Sequence, residues 1–117
     1  MGAAVVLCEG GRDCPGRVTL YRENDGHLHL VFEEDGGETH SLGCSLTALV
    51  NVGLGACTHL GWKNGLCKIC RVDGGVLVEL KGWNGRGVRF TVRLDDYVEA
   101  ITRMSTTDKQ RSYAEML

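Results

Sequence analysis

The 117-residue chain contains a single proline, Pro15, alongside 17 glycines. This combination favours short strands that are joined by tight turns. No apolar run approaches the roughly 20 residues that a membrane-spanning helix requires. The net charge is only −2, which disfavours a protein that coats nucleic acid along its whole surface. Since the hydrophobic fraction of 43% is ordinary for a globular protein, we expect one β-rich domain over residues 1–117.

Motifs that mark common catalytic sites are also missing from the sequence. There is no Gly-rich phosphate loop, no G-x-S-x-G turn and no H-E-x-x-H helix. Cysteines and histidines both occur, so composition alone leaves a Cys–His nucleophile pair open. Free cysteines usually pack as small buried hydrophobes, however, and His27 and His29 lie on the predicted outward face of a strand. We therefore predict a protein that is not an enzyme and binds no cofactor.

The N-terminal sequence lacks the features of a secretory signal. The apolar stretch 3–8 is too short for the core of a signal peptide, and no basic residue precedes it. This predicts an intracellular protein, cytoplasmic or nuclear, in which the cysteines are reduced thiols. The cysteines in question are Cys8, Cys14, Cys44, Cys57, Cys67 and Cys70.

Four residues form a possible zinc-ligand set, Cys57-x-His59 followed by Cys67-x-x-Cys70. Tetrahedral zinc accepts nitrogen and sulfur ligands of this kind. Cys67 and Cys70, however, lie in a strand-like segment, where residues three apart point to opposite faces. No turn residue separates them, since only Lys68 and Ile69 intervene. We predict no metal and no disulfide, with a small zinc-stabilised domain as an alternative.

Alternation of apolar and polar residues predicts strands along most of the chain. In the first half, inward positions are predicted at Val18, Leu20, Leu28, Leu30 and Phe32, and residues 39–52 form one long strand bent at Gly43. For the segment 66–72, the alternation does not determine which residues point towards the core. In the second half, the predicted buried residues are Val76, Val78, Leu80, Val88, Phe90, Val92 and Leu94. The same alternation predicts that Lys81, Arg89 and Arg93 are exposed.

The apolar period changes after residue 94, where a helix is predicted over about 95–104. Asp95 or Asp96 could cap its N-terminus, and Tyr97, Ile101 and Met104 recur at helical spacing. We expect this face to pack on the sheets. Thr107 and Gln110 could begin an extension of the helix towards residue 117.

The order of these elements resembles that of the pleckstrin-homology-like (PH-like) superfamily, and the sequence pattern is most similar to its GRAM-type members. The residues that carry the resemblance are GRVTLYREN, HLHLVFEED, THSLGCSLTALVNV, VLVELKG, RGVRFTVRL and DDYVEAITRM. The resemblance implies a mainly β fold, a seven-stranded antiparallel barrel of two near-orthogonal sheets over about 3–94. It also implies that the C-terminal helix closes one open end of the barrel.

Charge is unevenly distributed, with most basic residues in the second half of the chain. In the segment 61–93, basic residues outnumber the two acidic ones, Asp73 and Glu79. Two tryptophans occupy Gly/Asn turns that an antiparallel meander brings to the same end of a sheet. The predicted partner-binding residues are Trp62, Lys63, Lys81, Trp83, Arg86, Arg89 and Arg93. Two alternatives stay open, an ordinary solvated sheet face and tryptophans that close the end of the core.

These observations favour a non-catalytic interaction module that binds a protein or peptide of acidic character, within a larger assembly. The first alternative is a PH domain that binds phosphoinositides at a membrane surface. PH domains that bind phosphoinositides usually have several closely spaced Lys or Arg residues at the first hairpin. Here that hairpin contains two acids, and residues 18–21 separate Arg17 from Arg22. Nucleic-acid binding through the basic sheet is a further alternative that the slightly acidic net charge disfavours.

Overall fold

The computed structural model describes residues 3–10, 16–23, 27–34, 36–62, 65–82 and 87–105. The first half of the chain forms a four-stranded antiparallel sheet followed by a helix. Its elements are β1 (Ala3–Glu9), β2 (Gly16–Arg22), β3 (Leu28–Glu34), β4 (Thr39–Cys44) and α1 (Leu46–Gly53). The second half repeats this order. Its elements are β5 (Cys57–Trp62), β6 (Gly65–Val72), β7 (Gly75–Gly82), β8 (Gly87–Arg93) and α2 (Leu94–Met104).

The fold is mainly β, as predicted, but its details differ from the expected barrel. The described residues form eight strands instead of seven, in two separate sheets. Strand β4 runs close to β5, and β1 to β8, yet no backbone ladder joins these edges. The sheets are therefore not closed into a barrel.

The largest departure is α1, which replaces the second part of the strand predicted over 39–52. The Ser45 hydroxyl accepts a hydrogen bond from the Ala48 amide at 3.1 Å and so caps the helix N-terminus. Leu49 and Val50 are buried on one side of the helix, and Gly55, at φ 115°, lies just beyond its end. Because the apolar residues in this run fit both periods, the alternation alone suggested a strand.

The two halves are structural repeats, each a four-stranded meander followed by a helix. Gly16 and Gly65 are both buried at the start of the second strand of their unit, and the next inward positions are Val18 and Cys67. A Cβ atom at Gly16 would lie 2.0 Å from the Glu33 carbonyl oxygen, so only glycine fits there. The repeat is hard to recognise from the amino-acid sequence alone, because equivalent positions share polarity but seldom identity.

The inner faces of both sheets pack around one apolar core with the two helices. From β7 and β8, the predicted residues Val76, Val78, Leu80, Val88, Phe90 and Val92 are buried. Leu94 is only half-buried, because it begins α2 instead of ending the strand. In β6, whose inward residues the alternation did not determine, Cys67 and Ile69 face the core while Leu66 and Lys68 face outward.

The two helices pack on each other and on the strands of the sheets. Helix α1 contacts β5 and β6 of the second sheet, whereas α2 contacts β1 and β7. The Tyr97 hydroxyl donates a hydrogen bond to the Leu49 carbonyl and so joins α2 to α1. Within the described ranges, neither helix combines the length and the apolar character required to cross a membrane.

Helix α2 agrees with the prediction apart from its N-terminus. Tyr97, Ile101 and Met104 are buried, as expected. The N-cap position, however, is Arg93, and no side chain caps the helix there. Asp95 and Asp96 lie in the first turn, where negative charge favours the positive end of the helix dipole. The predicted extension over 106–117 lies outside the described residues.

Candidate functional site: the outer face of the second sheet

The side chains of Lys68, Lys81, Arg89 and Arg93 are exposed on the outer face of the second sheet, here called the cationic face. Strand register determines their arrangement. Lys68, Glu79 and Arg89 are cross-strand neighbours on β6, β7 and β8. Lys81 pairs with Gly87, and Arg93 with Gly75. Of the predicted binding residues, Lys81, Arg89 and Arg93 therefore share one surface. Lys68 was not predicted to belong to it, because the alternation did not determine which residues of β6 face outward.

The remaining described arginine side chains all have a partner. Arg17 lies 3.5 Å from a Glu9 carboxylate oxygen, and Arg103 lies 2.8 Å from one of Glu99. Arg22 donates to the Met104 carbonyl at 3.3 Å, and Arg71 donates to the Gly75 carbonyl at 2.9 Å. By contrast, Lys68, Lys81, Arg89 and Arg93 form no salt bridge or side-chain hydrogen bond within the described ranges. The unpartnered cations are thus collected on one face.

Glu79 is the one carboxylate among these cations on the strands of the cationic face. It is half-buried and lies opposite both Lys68 and Arg89 in the register, but no contact within salt-bridge distance joins it to either among the described residues. Four positive charges and one negative charge therefore give the strands of this face a net positive charge.

An exposed leucine lies within the cationic face. Leu66 is 48% exposed and belongs to the cross-strand row Gly61–Leu66–Lys81–Gly87. A Cβ atom at Gly61 would lie 4.0 Å from Leu66 Cδ2, an ordinary contact distance. Since glycine occupies both ends of the row, Leu66 has no side-chain cover from those positions. Nothing in the sequence pattern distinguished this residue from a core leucine.

The predicted tryptophan rim is only partly described. Gly65 pairs with both Trp62 and Gly82, so the ends of β5, β6 and β7 lie side by side. The Trp62 side chain, Lys63, Trp83 and Arg86 lie outside the described residues. Their part in the predicted binding surface stays a prediction.

The prediction of fully reduced cysteines was wrong. Cys57 and Cys70 are directly opposed on β5 and β6, with their Cα atoms 4.3 Å apart, and they form a disulfide on the outer side of the sheet. Cys8 is also disulfide-bonded. The alternation of apolar and polar residues predicted one strand over 39–52 and identified no strand partner for Cys57, so this cross-strand pair was not expected.

The possible zinc-ligand set is not assembled in this fold. Cys57 and Cys70 are bonded to each other, Cys67 points into the core, and His59 lies opposite Lys68. Within the described part of the chain, no group of three or more His, Cys, Asp or Glu side chains could hold a metal ion.

The two free cysteines among the described residues are Cys44 and the buried Cys67. Burial raises the pKa of Cys44 to about 11. Burial, and then the neighbouring Cys44, raise the pKa of Cys67 to about 12. Because the thiolate is the nucleophile, protonated thiols at neutral pH are poor candidates for covalent chemistry.

A small cavity lies between the two sheets. Its volume is about 10 Å³, and apolar side chains line it, including Leu20, Ile69 and Val92. This volume is about that required by one water molecule, and an apolar lining would leave such a water without hydrogen bonds. The cavity is therefore too small for an organic ligand, and the cationic face is the stronger candidate site.

Comparison with known proteins adds no relative to this description. No family model, no curated protein and no solved structure matches the chain.

Proposed function

We propose that this protein is a non-catalytic interaction module that binds an acidic protein or peptide through the cationic face. The observation that carries the proposal is the division of the described basic residues. Those elsewhere have partners, whereas Lys68, Lys81, Arg89 and Arg93 have none among the described residues and share one sheet face. Unpartnered cations contribute little to folding, but they attract an acidic partner and increase its association rate.

The spacing of the cations favours an extended partner over a single phosphorylated headgroup. Arg89 and Arg93 are four residues apart on one strand, which separates them by about 14 Å. Lys68 and Arg89 lie two strands apart, or about 10 Å. Side chains so separated on a flat surface do not converge readily on one phosphate, whereas a peptide with several carboxylates can reach them in turn. Phosphoinositide binding is therefore the second candidate.

The intracellular location was predicted from the lack of a signal-peptide core, and reduced cysteines were expected as its consequence. The Cys57–Cys70 disulfide favours an oxidising compartment instead, because cytosolic thiols are kept reduced. Alkylation of the protein in its native cells before lysis tests whether this disulfide is present there, since only free thiols are modified.

The proposal is tested with two variants that remove the same charge. The variant Lys81→Gln, Arg89→Gln changes the cationic face, and the control Arg17→Gln, Arg103→Gln removes two cations that have partners elsewhere. Immobilised proteins are incubated with native extract, and the bound proteins are quantified by mass spectrometry. We expect proteins with acidic segments to be retained by the wild type and the control and lost from the cationic-face variant.

Two results would contradict the proposal. Equal retention by both variants would show that the cationic face is not the contact surface. Alternatively, selective flotation of the wild type with vesicles containing phosphatidylinositol bisphosphate, without retained proteins, would favour the lipid candidate.

Rising salt should slow association with an acidic partner, because exposed charges are screened.

A further inference from the structure

We infer that the acidic partner carries a large apolar side chain that packs on Leu66, in the notch formed by the row Gly61–Leu66–Lys81–Gly87. This inference rests on the proposed function, which it extends from the charge of the partner to its sequence. It requires that an apolar anchor and acidic residues occur close together in one partner segment.

The notch results from the two glycines that flank the row. On either side of Leu66 and Lys81, the neighbouring strands present no side chain at the same level. A side chain at Gly61 would reach van der Waals distance of Leu66 Cδ2, so glycine at this position leaves the leucine 48% exposed. Residues with a Cβ are otherwise preferred in strands, and β-branched ones most strongly.

Single exposed leucines are common on protein surfaces and by themselves indicate nothing. Leu66 differs in its surroundings, because Lys81 is its cross-strand neighbour and Lys68 follows two residues later on the same face. Binding hot spots typically combine a central apolar contact with surrounding polar residues that exclude water. The aliphatic stem of Lys81 can also cover the edge of an apolar anchor while its ammonium group reaches a carboxylate.

The distances between these residues define the partner segment. Lys68 lies about 7 Å along β6 from Leu66, and Lys81 lies about 5 Å across the sheet. An extended peptide presents residues on one side at about 7 Å intervals. Acidic residues within two positions of the apolar anchor would therefore reach these two cations, so the partner is a short acidic segment with one large apolar residue at its centre.

The test uses two fluorescent peptides of glutamates, one with a central leucine and one with a central alanine. Binding is measured by fluorescence anisotropy with the wild type and three variants. Leu66→Ser removes the anchor contact, and Gly61→Thr covers the leucine with a residue that strands favour. Gly43→Thr is the matched control, because Gly43 lies on the outer face of the other sheet, on edge strand β4, with nothing within 4 Å of an added Cβ.

We expect the wild type and Gly43→Thr to bind the leucine peptide about tenfold more tightly than the alanine peptide. Leu66→Ser and Gly61→Thr should bind both peptides equally. Thermal melting of all variants should remain close to wild type, because the changed positions are exposed. If Leu66→Ser and Gly61→Thr lose the preference for leucine to the same extent, a folding defect in one variant does not explain the loss.

Equal binding of both peptides by the wild type would overturn the anchor and leave the cationic face in place as the proposed acidic contact. A preference for leucine that persists in both Leu66→Ser and Gly61→Thr would place the anchor elsewhere and also overturn the inference. If neither peptide binds the wild type, the anchor fails, and retention of native partners by the variants of the cationic face still decides the proposed function separately.

Discussion

Three ionisable side chains in the core are neutral at physiological pH. Burial raises the pKa of Cys44 to about 11 and that of Cys67 to about 12, with the neighbouring Cys44 as a second cause for Cys67. Burial, and then Cys44, also raise the pKa of the Tyr97 phenol above its usual value. These groups therefore act as packing residues, and Tyr97 additionally donates its hydroxyl proton to the Leu49 carbonyl.

This burial predicts that the protein loses stability in alkaline solution. Above the ordinary thiol pKa of 9.0, the unfolded chain releases thiol protons that the folded protein still holds. The free energy of unfolding should thus fall as pH rises from about 9 through 11 and 12. Replacing one such group, as in Cys67→Ala, should make the slope shallower by up to about 1.4 kcal/mol per pH unit.

Urea denaturation at a series of pH values measures this slope. Ser41→Ala is a suitable control, because Ser41 is exposed on β4 and should leave the slope unchanged. An identical slope in wild type and Cys67→Ala would mean that the Cys67 thiol ionises as readily in the folded protein as in the unfolded chain.

At the scale of single elements, α1 depends on its N-terminal cap. The hydroxyl of Ser45 accepts from the Ala48 amide at 3.1 Å, and removal of such a cap typically costs about 1 kcal/mol. Ser45→Ala should therefore lower the free energy of unfolding by about this amount in denaturant titration, whereas Ser45→Asp, which preserves a capping oxygen, should retain most of it. If alanine and aspartate behave alike, the cap contributes nothing to stability.

Helix α2 is held by its apolar face. Ile101 is fully buried and lies between Tyr97 and Met104 on that face. Ile101→Ala removes buried methyl groups and should cost about 2–4 kcal/mol in the free energy of unfolding, measured by urea titration. The neighbouring exposed residue provides a control, since Thr102→Ala should cost about 0.5 kcal/mol or less. A loss below about 0.5 kcal/mol for Ile101→Ala would place the helix on the surface.

At the scale of the whole molecule, the Cys57–Cys70 disulfide connects edge strand β5 to β6 across 13 residues. A crosslink of this length restricts the unfolded chain, and we expect it to contribute about 3 kcal/mol. The variant Cys57→Ala, Cys70→Ala should lose this amount in denaturant titration. The variant isolates this bond, because a reducing agent would also act on the disulfide of Cys8.

Thiol titration of the unfolded wild type under non-reducing conditions provides the matching check. The disulfide leaves Cys57 and Cys70 unreactive, so the double variant should show the same number of titratable thiols as the wild type. A larger number of thiols in the wild type, together with equal stability, would contradict the presence of this bond.

The prediction from sequence was accurate where side-chain period is a local property. The alternation in β7 and β8 predicted the buried Val78 and Phe90 and the exposed Lys81 and Arg89. The helical spacing of Tyr97, Ile101 and Met104 likewise predicted the packed face of α2. In α1, Leu49 and Val50 fit a helix and a buried strand equally well, and the Ser45 cap that distinguishes them was overlooked.

The sequence by itself therefore determined a mainly β fold, the inward faces of most strands and the C-terminal helix, because these depend on residues a few positions apart. Only the tertiary structure decided which strands pair and in what register. That register joined Cys57 to Cys70 and placed Glu79 between Lys68 and Arg89. Such pairs lie on separate strands, and their alignment depends on how the sheets and helices share one core, which no local period encodes.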